Sequence, residues 1–210
     1  MSKYLLGISG AKGSGKTTLA NRVLLHLPVH QGRIVAYASH LKRICYEYFG
    51  IPYGWLNGTD EEKSSFRVPY CWKDMPIYQE GRLADQNLSV REFMQVLGTD
   101  IFRRIDPTVW IRATLREAAA ATCAMVIIDD VRFPNEVEAI QQAGGKVVRL
   151  LRKAENHVDR HESERALDDY QGFDLHLDNR NHDVDTSLTT LILQASQEWG
   201  WMDLGWAEAE

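Results

Sequence analysis

Residues 10–17 read GAKGSGKT. It matches the pattern G-x-x-x-x-G-K-[ST] in full. An apolar run at residues 4–8 precedes it, and apolar residues at helical spacing follow it as far as Pro28. This order predicts a strand, a glycine-rich turn and a helix, which together open an α/β fold.

The chemistry of a phosphate site explains why these residue types occur together. Glycines let successive amide N–H groups point inward around phosphate oxygens, and the helix that follows adds its partial positive charge. Lys16 supplies a full positive charge, and the hydroxyl of Thr17 is suited to Mg²⁺. The alternative, a chance glycine turn before a surface helix, is disfavoured because the full motif and its context coincide. The sequence therefore predicts ATP and Mg²⁺, bound by Gly13, Ser14, Gly15, Lys16, Thr17 and Thr18.

Three more apolar runs predict strands, at residues 33–38, 125–128 and 146–151, and a final strand is predicted near residues 173–177. Helices are predicted between them: one with Ser39 as its N-cap, one opened by the capping box at residues 89–92, and one with Asp106 as its N-cap. Further helices are predicted before Gly144 and at residues 186–199. Buried strands that alternate with helices predict a three-layer α/β fold, a parallel sheet of about five strands with helices on both faces.

The length of 210 residues suits one domain, predicted over residues 1–210. Residues 51–88 lack clear periodicity, which predicts an irregular or mobile segment that covers the substrate. A basic segment at residues 152–170 is predicted to act as a lid.

Composition excludes several classes of protein. The net charge is −5, which disfavours a broad basic surface for nucleic acid. Cys45, Cys71 and Cys123 are odd in number and far apart, which indicates neither a disulfide framework nor a zinc site and favours a reducing cytoplasm. The longest nearly apolar run, residues 118–128, is too short for a membrane span, and the start lacks the pattern of a signal peptide.

Two aspartates follow the apolar run at residues 125–128. A P-loop needs a carboxylate at the end of a neighbouring strand, and side chains on a strand alternate between its two sides. We therefore expect Asp129 near the metal, and Asp130 with Arg132 near the acceptor. The alternative is that the aspartates serve a turn or a helix cap.

Cations are enriched at residues 149–165, where phosphoryl transfer would need positive charge on the migrating group. Arg152 is the predicted catalytic residue among Arg149, Arg152, Lys153, Arg160 and Arg165, although each of them could also be a solvated surface charge. His157 and His161 fit no common zinc spacing.

Five segments resemble the deoxynucleoside monophosphate kinases encoded by bacteriophages: GISGAKGSGKTTLA, YASHLKRICYEYFG, SVREFMQVLGTDIFRRIDPTVW, VIIDDVRFPNEVEAIQQAGGKVVRL and HESERALDDYQGFDLHLDN. The resemblance implies a P-loop kinase fold in which one side of a cleft takes ATP with Mg²⁺ and the other takes the monophosphate. One departure is His40, where such sequences often carry an aspartate.

The resemblance also implies an acceptor site. Its predicted residues are Lys12, Ser39, Lys42, Arg91, Gln95, Gly98, Thr99, Trp110, Asp130, Arg132 and Glu136. Arg91 could pair with a phosphate and Trp110 could stack on a base, but packing in a helix is the alternative for Trp110.

The expected reaction is ATP + dNMP = ADP + dNDP, with Lys16, Asp130, Arg132 and Arg152 as catalytic residues and Thr17 and Asp129 at the metal. The rivals are a kinase of another metabolite, such as dephospho-coenzyme A, and a P-loop NTPase that transfers no phosphate. We expect small-molecule substrates, no direct contact with nucleic acid or membrane, and the host cytoplasm as the location if a phage encodes the chain. The resemblance and the tryptophan-rich C-terminal tail also suggest a homodimer.

Overall fold

The computed structural model describes residues 4–77, 84–151, 162–181 and 183–206. Their contacts group them into two compact units, one within Met1–Tyr37 and Ala113–Glu210, the other within Ala38–Arg112. Compact units of one chain need not be separate domains, so the single domain over residues 1–210 stays a prediction.

The first unit contains a five-stranded parallel sheet in the order β2-β5-β1-β6-β7. Its strands are β1 (Tyr4–Gly10), β2 (Gly32–Val35), β5 (Met125–Val131), β6 (Lys146–Leu151) and β7 (Leu175–Asp178). β1 lies at the centre, so the loop that follows it has a strand on each side. The predicted parallel α/β sheet is confirmed.

Helices cover both faces of this sheet. Leu6 and Ile8 of β1 join a buried cluster with residues of α1 (Lys16–Leu25) and α9 (Val184–Gln197). The short helix α8 (Glu162–Arg165) lies between β6 and β7 in the chain. Gly7 points the other way, and a side chain there would come within 2.9 Å of Ile140 Cδ1 on α7 (Pro134–Gln142). The alternation of strand side chains thus gives the three predicted layers.

Tryptophans near the C-terminus complete the core of the first unit. Trp201 is 5% exposed, its ring centroid lies 5.3 Å from that of Tyr4, and Trp206 Nε1 donates to the Trp201 carbonyl. These side chains therefore pack within the unit. In the part of the chain that the structure describes, no helix is long and apolar enough to cross a membrane.

One predicted helix start is wrong, and a second lies two residues from the observed start. Helix α2 (Tyr37–Phe49) begins before Ser39, so Ser39 is inside the helix and is not its N-cap. Helix α6 (Val109–Ala120) begins after Asp106, whose carboxylate accepts from the Thr108 N–H in a turn. This bond is the one that an N-cap side chain makes to the N–H two residues on, so Asp106 makes the predicted contact although the regular helix begins later. In α2 the first N–H, that of Tyr37, donates to the Asp130 carboxylate, so Ser39 is not needed as a cap. The capping box of Ser89 and Glu92 is confirmed.

The second unit combines short helices with a small antiparallel pair of strands. After α2 it contains α3 (Tyr53–Asn57), α4 (Asp60–Ser65), β3 (Arg67–Cys71), β4 (Asn87–Ser89), α5 (Val90–Gln95) and a π-helical segment (Val96–Arg103). The described part of residues 51–88 therefore contains regular elements. A role in covering substrate stays a prediction.

Half-buried aromatic rings pack in pairs in the second unit and, with the buried Phe93, form its aromatic core. Tyr70 stacks on Phe93 at 5.2 Å, Phe49 meets both rings edge-on, and Trp55 stacks on Phe66 at 4.9 Å. Such pairs add stability beyond the area that they bury.

Candidate active site

The glycine-rich loop between β1 and α1 has the backbone geometry that a phosphate site needs. Gly13 has φ 69° and Gly15 has φ 96°, a region that favours glycine because other residues are strained there. Lys16 folds back over the loop, and its Nζ donates to the carbonyls of Gly10 at 2.9 Å and Ala11 at 2.7 Å. The loop thus holds the charge of its own lysine against its backbone.

Several charges act on Lys16. Burial, together with the positive charges of Arg132 and Arg149, lowers the pKa of Lys16 to about 8. The carboxylates of Asp129 and Asp130 oppose this shift. Because like charges are held near a half-buried lysine, the site is suited to an anion that would relieve their repulsion.

Thr17 and Asp129 come together beside the loop. Thr17 Oγ1 donates to Asp129 Oδ2 at 3.0 Å, although the residues are far apart in sequence. Burial and the neighbouring Asp130 raise the pKa of Asp129, while the bond from Thr17 acts in the opposite direction. A hydroxyl and a carboxylate are oxygen ligands of the kind that Mg²⁺ prefers, so these two residues fit the predicted ion.

Asp130 contacts a different element. Its Oδ1 accepts from the N–H of Tyr37 at 2.8 Å, at the first residue of α2. Asp129 thus accepts a hydrogen bond from α1 and Asp130 accepts one from α2, as the alternation along β5 predicts.

Glu136 holds the turn that carries Arg132. Its Oε2 accepts from the N–H of Arg132 at 2.6 Å and from the N–H of Phe133 at 3.0 Å, and the residue is 2% exposed. The Arg132 side chain is exposed at the end of β5. A buried carboxylate with two backbone bonds is placed to orient this turn.

Arg149 is the member of the predicted cationic cluster that the structure places near Lys16. Its Nη1 donates to Ser9 Oγ at 2.9 Å, its Nη2 lies 3.6 Å from Asp168 Oδ1, and its guanidinium lies over the ring of Phe173. Arg152, Lys153 and Arg160 fall outside the described residues, so Arg152 stays a prediction.

Polar residues of the predicted acceptor site also lie in the second unit. Ser39 is exposed on α2, and Lys42 Nζ donates to Asn57 Oδ1 at 2.9 Å. Arg91 Nη1 lies 3.2 Å from Asp60 Oδ1. Gln95 is the last residue of α5.

Gly98 and Thr99 belong to the π-helical segment, which forms one packed feature with Trp110. Trp110 Nε1 donates to the Gly98 carbonyl at 2.9 Å, its ring lies 5.1 Å from that of Phe102, and the residue is 6% exposed. These contacts favour the packing alternative for Trp110. Stacking on a base stays a prediction.

The structure thus brings five of the predicted site residues together in the first unit: Lys16, Thr17, Asp129, Asp130 and Arg132. The predicted acceptor-site residues in the second unit are Ser39, Lys42, Arg91, Gln95, Gly98, Thr99 and Trp110. Sequence reasoning missed two polar residues beside the loop, Ser9 and Asn179. Asn179 Nδ2 donates to the Ser14 carbonyl at 2.8 Å. Their only signal was position, since each lies at the carboxyl end of a strand predicted to be parallel.

A glycine-rich loop with a lysine, at the end of a central parallel strand and next to a carboxylate, defines a P-loop nucleotide-binding protein. The sequence profile described as deoxynucleotide monophosphate kinase matches residues 58–188, more than half of the chain. The chain belongs to the deoxynucleotide monophosphate kinase family. The resemblance to phosphotransferases that act on deoxynucleotide monophosphates is therefore confirmed.

Individual relatives agree with this family. A protein of Acanthamoeba polyphaga mimivirus, assigned as a deoxynucleotide monophosphate kinase, is 28% identical over 83% of this chain and 88% of its own length. The deoxynucleotide monophosphate kinase of Escherichia phage RB69 is 27% identical over 50% of this chain and 46% of its own length. Shikimate kinase from Bacteroides thetaiotaomicron is similar in structure over 93% of this chain and 98% of its own, at 15% identity and a TM-score of 0.46.

Proposed function

We propose that this chain transfers the γ-phosphoryl group of ATP to a deoxynucleoside monophosphate, giving ADP and the deoxynucleoside diphosphate. The observation that carries the proposal is the contact of Thr17 Oγ1 with Asp129 Oδ2 next to Lys16, at the end of the central strand. Family membership supports the choice of a deoxynucleotide as acceptor.

The loop residues would bind the triphosphate. The amide N–H groups from Gly13 to Thr18 would donate to phosphate oxygens, with the start of α1 adding its dipole. Lys16 Nζ would exchange the carbonyls of Gly10 and Ala11 for phosphate oxygens. The exchange gives the Lys16 ammonium a negatively charged acceptor in place of neutral carbonyls, which favours the bound state.

Thr17 and Asp129 would hold Mg²⁺ through their side-chain oxygens. A bound Mg²⁺ neutralises charge on the phosphates and orients them for transfer. The burial and the neighbouring charge that raise the pKa of Asp129 in the free protein would be offset by such a cation.

The transfer step needs no covalent enzyme intermediate. A phosphate oxygen of the acceptor would form a bond to the γ-phosphorus while the bond to the bridging oxygen breaks, and ADP would leave with that electron pair. Lys16 and Arg132 would neutralise charge on the migrating group, and Asp130 would orient the acceptor or the residues around it. Arg152 keeps its predicted catalytic role, and Arg149 would act as a fixed positive charge near Lys16.

Residues of the second unit are proposed to bind the acceptor. Arg91 carries a charge suited to the phosphate of the monophosphate, held by Asp60 until the substrate arrives. Lys42 and Thr99 offer further donors, and Lys12 adds a cation from the loop. A homodimer and a location in the host cytoplasm remain predictions within this proposal.

The test is ADP release from ATP with Mg²⁺ against dAMP, dGMP, dCMP, dTMP and the matching ribonucleotides. Dephospho-coenzyme A and a reaction without acceptor are the controls, and Lys16→Ala is the variant that should lose turnover. We expect ADP only with one or more deoxynucleotides. ADP without any acceptor would identify an NTPase, and ADP only with dephospho-coenzyme A would replace the proposed substrate.

A further inference from the structure

Asn179 links the end of the sheet to the phosphate loop. It is the first residue after β7, and its backbone N–H donates to the Leu151 carbonyl at the end of β6. Its side chain reaches the loop, where Nδ2 donates to the Ser14 carbonyl at 2.8 Å, and the residue is 3% exposed. Strand ends thus fix the position from which this amide acts.

The bond to Ser14 determines the direction of a neighbouring N–H. The Ser14 carbonyl and the Gly15 N–H belong to the same peptide group, which is planar and trans, so they point in opposite directions. A donor that holds the Ser14 carbonyl toward Asn179 therefore turns the Gly15 N–H away from it. This N–H belongs to the motif predicted to surround phosphate oxygens.

Gly15 also packs closely against the same amide. A side chain at Gly15 would come within 3.0 Å of Asn179 Nδ2 and 3.4 Å of Val184 Cγ2. The left-handed conformation of Gly15, with φ 96°, completes the turn before α1. Asn179 thus restrains the 14–15 peptide both by a hydrogen bond and by contact.

The oxygen of the Asn179 side-chain amide indicates why an asparagine occupies this position. Among the described residues, Asn179 Oδ1 is buried and has no hydrogen-bond partner. A buried acceptor without a partner costs stability, so an apolar side chain of the same shape would serve packing better. The advantage of asparagine over an apolar residue at this position is therefore the Nδ2 hydrogen bond that it donates to the loop.

We propose that Asn179 is a positioning residue that presets the Gly15 N–H for the phosphates of the nucleotide. The proposal rests on the proposed function only in taking the nucleotide to be ATP. Preorganised backbone donors bind an anion better than donors that must first be ordered, because the cost of ordering is met during folding. Asn179 acts through the loop, so its effect should fall on ATP and not on the acceptor.

The experiment measures the Kd of ATP with Mg²⁺ and the KM of the best acceptor for wild type, Asn179→Leu and Asn179→Ala. Leucine keeps the shape of asparagine without its donor. We expect the Kd of ATP to rise about 10-fold in both variants, as for the loss of one well-placed hydrogen bond, while the KM of the acceptor changes less than about 2-fold.

Ser187→Ala is the matched control. Ser187 is 2% exposed and its Oγ donates to the Asp178 carbonyl at 3.3 Å, so the variant loses a buried bond in the same region without touching the loop. It should lower Tm and leave the Kd of ATP unchanged. If the Asn179 variants also lower only Tm, the role is structural and the proposal is wrong.

A measurement on wild type covers the case in which the variants do not fold. Amide NMR with tripolyphosphate and Mg²⁺ should show the Gly15 N–H among the signals that shift most. An unaffected Gly15 signal in a protein that binds tripolyphosphate would overturn the proposal. A wild type that binds neither ATP nor tripolyphosphate would instead refute the proposed function.

Discussion

The phosphate loop of the first unit and the aromatic core of the second differ in how their interactions affect stability. Around the loop, half-buried charges lie close together, and burial acts against the charged forms of Lys16 and Asp129. In the second unit, rings stack on rings, and the Trp110 N–H finds its acceptor in the Gly98 carbonyl.

This difference separates residues that favour function from residues that favour stability. Groups with shifted pKa values are expected at sites where a bound ligand will supply the compensating charge. Hydrogen-bonded polar groups and packed rings are expected where residues serve the stability of the fold. Substitutions in the first region should therefore reduce activity more than stability, and substitutions in the second should do the reverse.

The largest effect is expected for Lys16→Met. The variant keeps a similar length but loses the charge on the phosphates, so kcat/KM should fall on the order of 10³-fold. Steady-state kinetics checks this, with Lys73→Met as a control, because Lys73 lies in an exposed pair with Asp85. Turnover close to wild type in Lys16→Met would contradict the view that the phosphate loop is where substitutions reduce activity most.

Asp129→Asn should reduce kcat on the order of 10²-fold and yet stabilise the free protein. The pKa of Asp129 is raised in the folded state, so the folded protein holds the Asp129 proton more tightly than the unfolded chain does. The free energy of unfolding therefore falls as pH rises through the range in which Asp129 loses this proton. Asparagine removes this dependence and can still accept from Thr17. Thermal unfolding between pH 4 and pH 8 should show a higher Tm for the variant at the upper end. A lower Tm there would show that Asp129 serves the fold.

Glu136→Ala should affect both properties, because Glu136 stabilises the turn that carries Arg132. Losing the bonds from the N–H groups of Arg132 and Phe133 should cost about 1–3 kcal/mol, and a displaced Arg132 should lower kcat roughly 10-fold. Glu136→Gln keeps an acceptor oxygen and is the control. If Gln and Ala reduce activity equally while stability is kept, Glu136 acts on the substrate directly.

Trp110→Phe is expected to give the smallest effect. Loss of the bond to the Gly98 carbonyl should cost about 1 kcal/mol in the free energy of unfolding, while the ranking of the four deoxynucleotides by kcat/KM stays the same. Trp72→Phe, at another buried tryptophan of this unit, is the control. A change in base ranking specific to Trp110→Phe would support stacking on the base.

The sequence predicted the first unit well for physical reasons. Its inner strands contain short apolar runs, its loop has a fixed motif, and the pair at residues 129–130 follows from the rule that parallel strands end at one edge. The motif and this rule together suffice to pair Thr17 with Asp129, and the two residues do form a hydrogen bond.

Other features depend on interactions that no local pattern records. The short elements of the second unit bury aromatic rings at irregular spacing, so neither helical nor strand periodicity marks them. The π-helical segment has a sequence that also suits an α-helix. Asn179 acts on Ser14 across the whole chain, and only the sheet brings the two together.

The position of β1 in the sheet has a consequence for synthesis of the chain. β1 pairs only with strands made much later, since Tyr4 lies opposite Met125 and Leu6 lies opposite Lys146. The ribosome adds about 5–20 residues per second from the N-terminus, so β1 and its loop emerge long before their partners. The stretch Ala38–Arg112 emerges in between as one continuous piece. A nascent chain can thus complete the aromatic core first, while the two strands that flank β1 and its loop are synthesised later.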